Sequence, residues 1–144
     1  IISLRTFNAA YSCMRQVSFG LLDMAFYSLR DAVPEDVRAF EKNAVEPVRL
    51  LPDCPEACMA VTFGHIMSGG YAAGYYSYKW AEVLDADAFG KFQETGIFNT
   101  ETARSFRSNI LSQGGTRPPM DLYVNFRGRK PTIDALLRRD GIKK

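Results

Sequence analysis

Apolar residues that recur every three or four positions constrain the fold of this chain more than any other feature. Near the start, this spacing predicts an amphipathic helix over about residues 4–30, which Gly20 is able to bend. The residues that carry the pattern are Leu4, Phe7, Tyr11, Met14, Leu21, Leu22, Ala25 and Leu29. No useful length of the chain alternates with the period of two that a half-buried strand requires. The sequence therefore predicts an all-α fold, and 144 residues fit a single helical domain over 1–144.

A second helix is predicted to follow. Pro34 suits a first helical turn because its φ is fixed near the helical value, and this helix should end before Pro47. Its apolar face comprises Val37, Phe40 and Ala44. Residues 52–70 contain prolines and glycines but few charges, so we expect a loop there, with at most one short extended piece over 59–63.

The second half of the chain carries several start and stop signals for helices. The expected segments are a helix from Tyr71 to about Leu84, a short helix capped by Asp85 and stopped by Gly96, a helix capped by Asn99 or Thr100 and ended by Gly114-Gly115, and two short helices near 119–126 and 131–139.

The charge balance excludes some function classes. The 18 basic and 16 acidic residues give a net charge of +2, which is too small to predict a nucleic-acid partner. Arg127 and Arg129 are more typical of structural ion pairs than of an anion site. No apolar run approaches the ~18 residues of a membrane-spanning helix, so no membrane partner is predicted. The chain begins with Ile1 rather than methionine, so we expect it to be a processed piece or an excerpt of a longer protein.

Three cysteines are too few, and odd in number, for a disulfide scaffold, so we expect a reducing compartment and a cytoplasmic protein. Cys54-Pro-Glu-Ala-Cys58 has a spacing that a metal could use, but a single histidine in the chain leaves too few ligands for a closed zinc site. Cys58 with His65 as a nucleophile pair gives one alternative function, a cysteine hydrolase.

Hydrogen-bond donors and glycines concentrate in residues 63–80, which we call the tyrosine segment. It holds the only histidine, four of the seven tyrosines and the only tryptophan. On the predicted helix, Tyr71, Tyr75 and Tyr78 fall within about 60° of one another, while Tyr76 and Trp80 point elsewhere, towards the core. Phenols with an ordinary pKa of ~10 stay protonated at neutral pH and can donate to an oxyanion or a peptide carbonyl. Spacing alone is also compatible with a half-buried packing face.

The tyrosine segment closely resembles the C-terminal region of the thimet oligopeptidase family of zinc metallopeptidases, nearest to its bacterial peptidyl-dipeptidase and oligopeptidase A branches. The matching residues are Phe63-Gly64-His65-Ile66 and, after a short gap, Gly69-Gly70-Tyr71-Ala72-Ala73-Gly74-Tyr75-Tyr76-Ser77-Tyr78-Lys79-Trp80. Three further segments resemble the family in the same order, namely Ser18 to Ala25, Ile110 to Gly115 and Phe126 to Pro131.

The resemblance implies roles for individual residues. By motif position, His65 and Tyr78 would help to bind the tetrahedral intermediate of peptide hydrolysis as catalytic residues. Tyr71 and Tyr75 would hold the backbone or the C-terminal end of a peptide substrate. The loop 64–70 would flex to accept different peptides, and its Gly69 and Gly70 belong to the substrate-binding residues.

One departure from the family pattern limits what this chain can do alone. The family binds zinc on a helix with the motif His-Glu-x-x-His, and this motif is absent from the sequence. The resemblance therefore implies the C-terminal helical part of a zinc-dependent oligopeptidase or peptidyl-dipeptidase. Its parent would bind zinc, while this chain would bind none and be inactive alone. The expected partners are peptide substrates, the missing zinc-binding part of the same polypeptide and, through uncovered apolar surface, further copies of the chain. The alternative is a non-catalytic helical module for peptide binding or interaction.

Overall fold

The computed structural model describes residues 6–32, 34–52 and 54–143, and within these ranges it is all helical with no strand, as predicted. The helices are α1 (Ala9–Tyr27), α2 (Val37–Val45), α3 (Gly64–Met67), α4 (Ser77–Thr95), α5 (Thr100–Phe106), α6 (Pro119–Arg127) and α7 (Asp134–Arg139). Single 3-10 turns cover Glu46–Val48 and Ala60–Thr62, and a π-helical turn over Arg107–Leu111 continues α5. In the described ranges, every helix is too short or too polar to cross a bilayer.

The contacts between Cα atoms divide the chain into two compact units, Ile1–Trp80 and Ala81–Lys144. Helices α1, α2 and α3 belong to the first unit, and α5, α6 and α7 belong to the second. Helix α4 contributes residues to both.

The core of the first unit joins α1 to the tyrosine segment. Its buried members are Leu22, Phe63, Ile66 and Tyr75. The rings of Phe63 and Tyr75 meet edge to face, with centroids 5.0 Å apart, and Phe19 of α1 packs against both rings. Apolar residues of α1 thus bury the inner side of the segment that carries the candidate site.

The second unit contains a small apolar core and an ion-pair cluster. Val83, Ala86 and Leu136 form one buried cluster, and the rings of Phe92 in α4, Phe106 in α5 and Phe126 in α6 pack against one another. Asp87 of α4 accepts hydrogen bonds from Arg129 at 2.6 and 2.9 Å and from the Tyr123 hydroxyl at 2.6 Å. The interpretation of Arg127 and Arg129 as structural ion-pair partners is confirmed, since Arg127 also binds Glu94.

Several predicted helix ends are confirmed and others are wrong. Asn99 caps α5 by accepting from the Thr102 N–H at 2.9 Å, and Gly96 follows α4 with a φ of 103°. The second helix does not begin at Pro34, because Asp36 caps it by accepting from the Ala39 N–H. The predicted start of the first helix at residue 4 lies outside the described residues, and α1 continues through Gly20 to Tyr27.

Two further predictions for the middle of the chain are wrong. The piece expected to be extended over 59–63 is a 3-10 turn at Ala60–Thr62, held by the carboxylate of Glu41, which accepts from the N–H groups of Met59 and Ala60 at 2.9 and 2.8 Å. Asp85 caps no helix, because α4 runs without interruption from Ser77 to Thr95.

Candidate active site

A glycine turn shapes the start of the tyrosine segment. Helix α3 ends at Met67, after which the Gly69 N–H donates to the Gly64 carbonyl at 2.8 Å and the Tyr71 N–H donates to the His65 carbonyl at 3.1 Å. A Cβ atom on Gly69 would lie only 3.0 Å from both the Cα and the carbonyl oxygen of His65. Gly70 has a φ of 80°, which disfavours other residues. Glycine is therefore required for the chain to fold back over His65.

Residues 72–76 are turns and not the first part of a helix, so the prediction of one helix from Tyr71 is wrong. Helix α4 begins only at Ser77, and Tyr78 lies in its first turn while Tyr71 and Tyr75 precede it. Ala73 takes a φ of 53°, which interrupts any helical path. The predicted positions of Tyr76 and Trp80 in the core are also wrong, since these side chains are 62% and 50% exposed.

Asp23 holds these turns in place from α1. Its carboxylate accepts hydrogen bonds from the Ala73 N–H at 2.8 Å and the Tyr75 N–H at 2.9 Å, and the residue is 0% exposed. The sequence interpretation did not single out Asp23. A signal existed, because Asp23 lies four residues after Phe19 on the same apolar face of α1, where an acid must find buried partners.

The turns bring four predicted site residues together by a different path from the predicted helix. We call His65, Tyr71, Tyr75 and Tyr78 the tyrosine cluster. The centroid of the His65 ring lies 5.7, 5.8 and 6.3 Å from those of Tyr71, Tyr75 and Tyr78, respectively. Tyr71 stacks on Tyr78 at 5.3 Å, and Tyr75 lies 5.0 Å from Tyr78. All four rings therefore share one small region of the first unit.

The cluster has a buried base and an exposed edge. Tyr75 is 7% exposed and packs into the core, whereas Tyr71 and Tyr78 are 38% and 36% exposed. His65 is exposed as well. This arrangement fixes the rings from the core side and leaves one edge of the cluster exposed.

The environment keeps two of the phenols protonated. Burial raises the pKa of Tyr75, and a hydrogen bond to Gln16 and the charge of Arg15 oppose this rise only in part. A hydrogen bond with Tyr71, followed by weaker desolvation, raises the pKa of Tyr78. Both hydroxyls are therefore neutral hydrogen-bond donors near neutral pH.

The residues of this cluster do not fit a metal ion. Among the residues that the structure describes, no three His, Cys, Asp or Glu side chains group closely enough to bind one. The rings beside His65 are phenols and Phe63, which are not the N, S and carboxylate ligands that zinc takes. The Cys58 thiol lies 3.6 Å from a carboxylate oxygen of Glu41, and nothing in this geometry favours a cysteine nucleophile.

Comparison with known proteins places the chain in a family. The model of peptidase family M3 matches residues 1–142. The chain is 44% identical over 146 residues to oligopeptidase A of Escherichia coli, covering 99% of this chain and 21% of that protein. It is 37% identical over 138 residues to the dipeptidyl carboxypeptidase of Salmonella typhimurium, covering 94% and 20%. A thimet-like oligopeptidase of Dictyostelium discoideum is 31% identical over 142 residues, covering 99% and 21%.

The chain thus spans about a fifth of the length of these relatives. The family match over nearly the whole chain confirms the resemblance drawn from the tyrosine segment. This chain belongs to peptidase family M3.

Proposed function

We propose that this chain forms the substrate-binding and oxyanion-stabilising part of a peptide hydrolase, a zinc-dependent oligopeptidase or peptidyl-dipeptidase. The observation that carries the proposal is the convergence of His65 and three tyrosines on one partly exposed surface. Relatives named as oligopeptidases and a dipeptidyl carboxypeptidase support the reaction class.

The chemistry of the cluster suits amide hydrolysis. When water attacks a peptide carbonyl, negative charge develops on its oxygen, and preorganised donors lower the barrier by binding that charge. In the proposal, Tyr78 and His65 are the catalytic donors to this oxygen. Tyr71 holds the peptide at the exposed edge, Tyr75 holds it from the base, and the turn at Gly69 and Gly70 lets the backbone approach.

The metal is proposed to come from another part of the same polypeptide. Zinc, when bound there, supplies an activated water, and the residues described here lack a fitting ligand set. The isolated chain is accordingly proposed to be inactive. The free thiols of Cys13, Cys54 and Cys58 support a cytoplasmic location.

The proposal is tested by Tyr78→Phe in the full-length protein. Loss of one oxyanion donor is expected to lower kcat by about 10²–10³-fold. Tyr76→Phe is the matched control, because it also removes one phenolic hydroxyl from the tyrosine segment. Tyr76 is 62% exposed and lies outside the tyrosine cluster. We expect the control to keep its kcat. A Tyr78→Phe enzyme as fast as wild type would overturn the catalytic role.

A second candidate is a peptide-binding module without chemistry. The exposed phenols of Tyr71 and Tyr78 offer hydrogen bonds to a peptide whether or not a metal is near. The coding sequence upstream of Ile1 separates the two functions. An in-frame His-Glu-x-x-His motif supports the hydrolase, and a start codon directly before Ile1 supports the module.

A further inference from the structure

We infer that Asp23 is a positioning residue for the proposed hydrolytic site. Its carboxylate fixes the turns over 71–76 and thereby sets where the hydroxyls of Tyr71 and Tyr78 lie relative to His65. This inference rests on the proposed function, since it assigns a further residue to the same site.

Asp23 contacts the candidate site through the backbone N–H groups of Ala73 and Tyr75. Asp23 is 0% exposed, and its two oxygens accept separately from the N–H groups of Ala73 and Tyr75, 50 and 52 residues along the chain. Hydrogen bonds to a charged acceptor are roughly twice as strong as bonds between neutral groups. Asp23 therefore clamps the turn between the two stacked rings, Tyr71 and Tyr78.

The clamped turn is one that the chain would not hold by itself. Ala73 has a φ of 53°, a left-handed conformation that costs a residue with a Cβ about 1–2 kcal/mol. The N–H groups of Ala73 and Tyr75 point to Asp23 and not to helix carbonyls, because α4 has not yet begun. Without the carboxylate, both N–H donors lose their acceptor. The turn then loses the two hydrogen bonds that offset the cost of the left-handed conformation of Ala73.

The ring of Tyr75 links this clamp to the rest of the cluster. Phe19, on the same face of α1 as Asp23, meets the Tyr75 ring at 5.7 Å, and Phe63 meets it at 5.0 Å. The backbone and the ring of Tyr75 are thus both fixed from α1. Reacting groups must be held to well under an ångström, so a released turn should reduce the rate even where peptide still binds.

The chain provides a matched control in Glu41. The Glu41 carboxylate also accepts two backbone N–H groups, those of Met59 and Ala60, at 2.9 and 2.8 Å. It anchors the 3-10 turn Ala60–Thr62 and not the tyrosine cluster. Glu41→Gln therefore repeats the chemical change of Asp23→Asn on another turn of the same unit.

The experiment compares Asp23→Asn, Glu41→Gln, Tyr78→Phe and the double variant Asp23→Asn/Tyr78→Phe in the full-length protein. The measurements are kcat and KM for a short peptide and the thermal midpoint of unfolding. We expect Asp23→Asn to lower kcat by about 10²-fold, with a much smaller change in KM, because the donors are misplaced by a small distance. Glu41→Gln should lower the midpoint comparably and keep the wild-type kcat.

The double variant tests whether Asp23 acts through Tyr78. We expect it to be no slower than Tyr78→Phe alone, since a misplaced hydroxyl and an absent hydroxyl are equivalent. Should Asp23→Asn not yield folded protein, Asp23→Ser serves instead, because its hydroxyl accepts one N–H without presenting an amide donor to the other.

Three results would overturn the inference. These are a wild-type kcat in folded Asp23→Asn, equal losses of kcat in Asp23→Asn and Glu41→Gln, or losses that multiply in the double variant. A normal kcat in Tyr78→Phe instead overturns the proposed function. A slow Tyr78→Phe with a normal Asp23→Asn overturns the positioning role alone.

Discussion

Among the residues that the structure describes, each unit buries one aspartate on a helix, and the two aspartates bind different kinds of partner. Asp23 in the first unit is 0% exposed and binds two neutral backbone N–H groups. Asp87 in the second unit is 1% exposed and binds the side chains of Arg129 and Tyr123, with the buried Arg127 Nε 3.7 Å away. A buried acid is therefore not in itself the sign of a functional site.

The difference lies in what each carboxylate holds. Asp23 fixes a loop whose own side chains, Tyr71 and Tyr78, remain 38% and 36% exposed and available to a ligand. The charged partners of Asp87 are paired within the cluster, since Arg127 also forms two hydrogen bonds with Glu94, at 2.5 and 2.8 Å. Two arginines and two acids balance in charge. The first arrangement leaves tyrosine side chains accessible, whereas the second pairs its charged side chains with one another.

The electrostatics of the second unit agree with a structural role. Burial alone would raise the pKa of Asp87, but hydrogen bonds from Arg129 and Tyr123, together with the charges of Arg129 and Arg127, outweigh it and lower the pKa. Burial, followed by the hydrogen bond to Asp87, raises the pKa of Tyr123. These groups thus keep one charge state across the neutral range.

The largest effect is expected from breaking the ion-pair cluster around Asp87 in the second unit. Asp87→Ala removes the buried acceptor of Arg129 and Tyr123 and the buried charge nearest the Arg127 Nε, so we expect a loss of about 3 kcal/mol in the free energy of unfolding. Asp85→Ala is the control on the same helix, because Asp85 pairs with Arg139 at 2.6 Å while its side chain is 71% exposed. That variant should lose about 1 kcal/mol or less in chemical denaturation. Similar losses in both variants would contradict the contrast.

The pH dependence of stability should follow from the lowered pKa of Asp87. A carboxyl group whose pKa is lower in the folded state stabilises the fold above its unfolded pKa of about 3.9. This contribution is lost as the pH falls through the folded pKa. Wild type should therefore lose stability below about pH 4 more steeply than Asp87→Asn, as measured by denaturation at a series of pH values. If the stabilities of wild type and Asp87→Asn fall in parallel with pH, Asp87 is not the source of the acid-sensitive stability.

The sequence predicted best those features that depend on neighbouring residues. Asn99 caps α5 as expected, because a cap acts on N–H groups within one turn of it. Gly96 follows the end of α4 as expected, because the positive φ that ends the helix favours glycine at that position. The wrong starts, at Pro34 and Tyr71, have a physical cause. The Asp36 side chain caps α2 by accepting from the Ala39 N–H, so this helix begins at Val37 and not at Pro34. The turn after Tyr71 is held by the carboxylate of Asp23, which lies 50 residues before Ala73 in the chain.

The candidate site shows the same limit more sharply. The resemblance to the family predicted which residues belong to it, and the structure brings His65, Tyr71, Tyr75 and Tyr78 together. The helical angles used to align the tyrosines do not apply, because the cluster forms across a turn and not along a helix. Side-chain positions that rest on a distant anchor such as Asp23 require the tertiary structure.

A medium effect is expected at the glycine turn of the first unit. In Gly69→Ala, the new Cβ would lie 3.0 Å from backbone atoms of His65, and such overpacking costs about 1–3 kcal/mol. Because the displaced backbone carries the His65 ring, kcat in the full-length protein should fall as well. Gly64→Ala is the control, since its Cβ would meet only the Ser68 Oγ, at 4.0 Å. Equal kcat values in the two variants would count against a role for this turn in placing His65.

The smallest effect should come from Tyr27→Phe, which probes a single neutral hydrogen bond in the same unit as Asp23. The Tyr27 hydroxyl donates to the carbonyl of Ile66, next to His65 in α3. Loss of one such bond costs about 0.5–1.5 kcal/mol, less than the loss of a buried counter-charge. The α3 backbone also keeps its own bonds to Phe63 and Gly64, so His65 should stay in place and kcat should barely change. A large fall in kcat would mean that α3, and not only the turn held by Asp23, is positioned from α1.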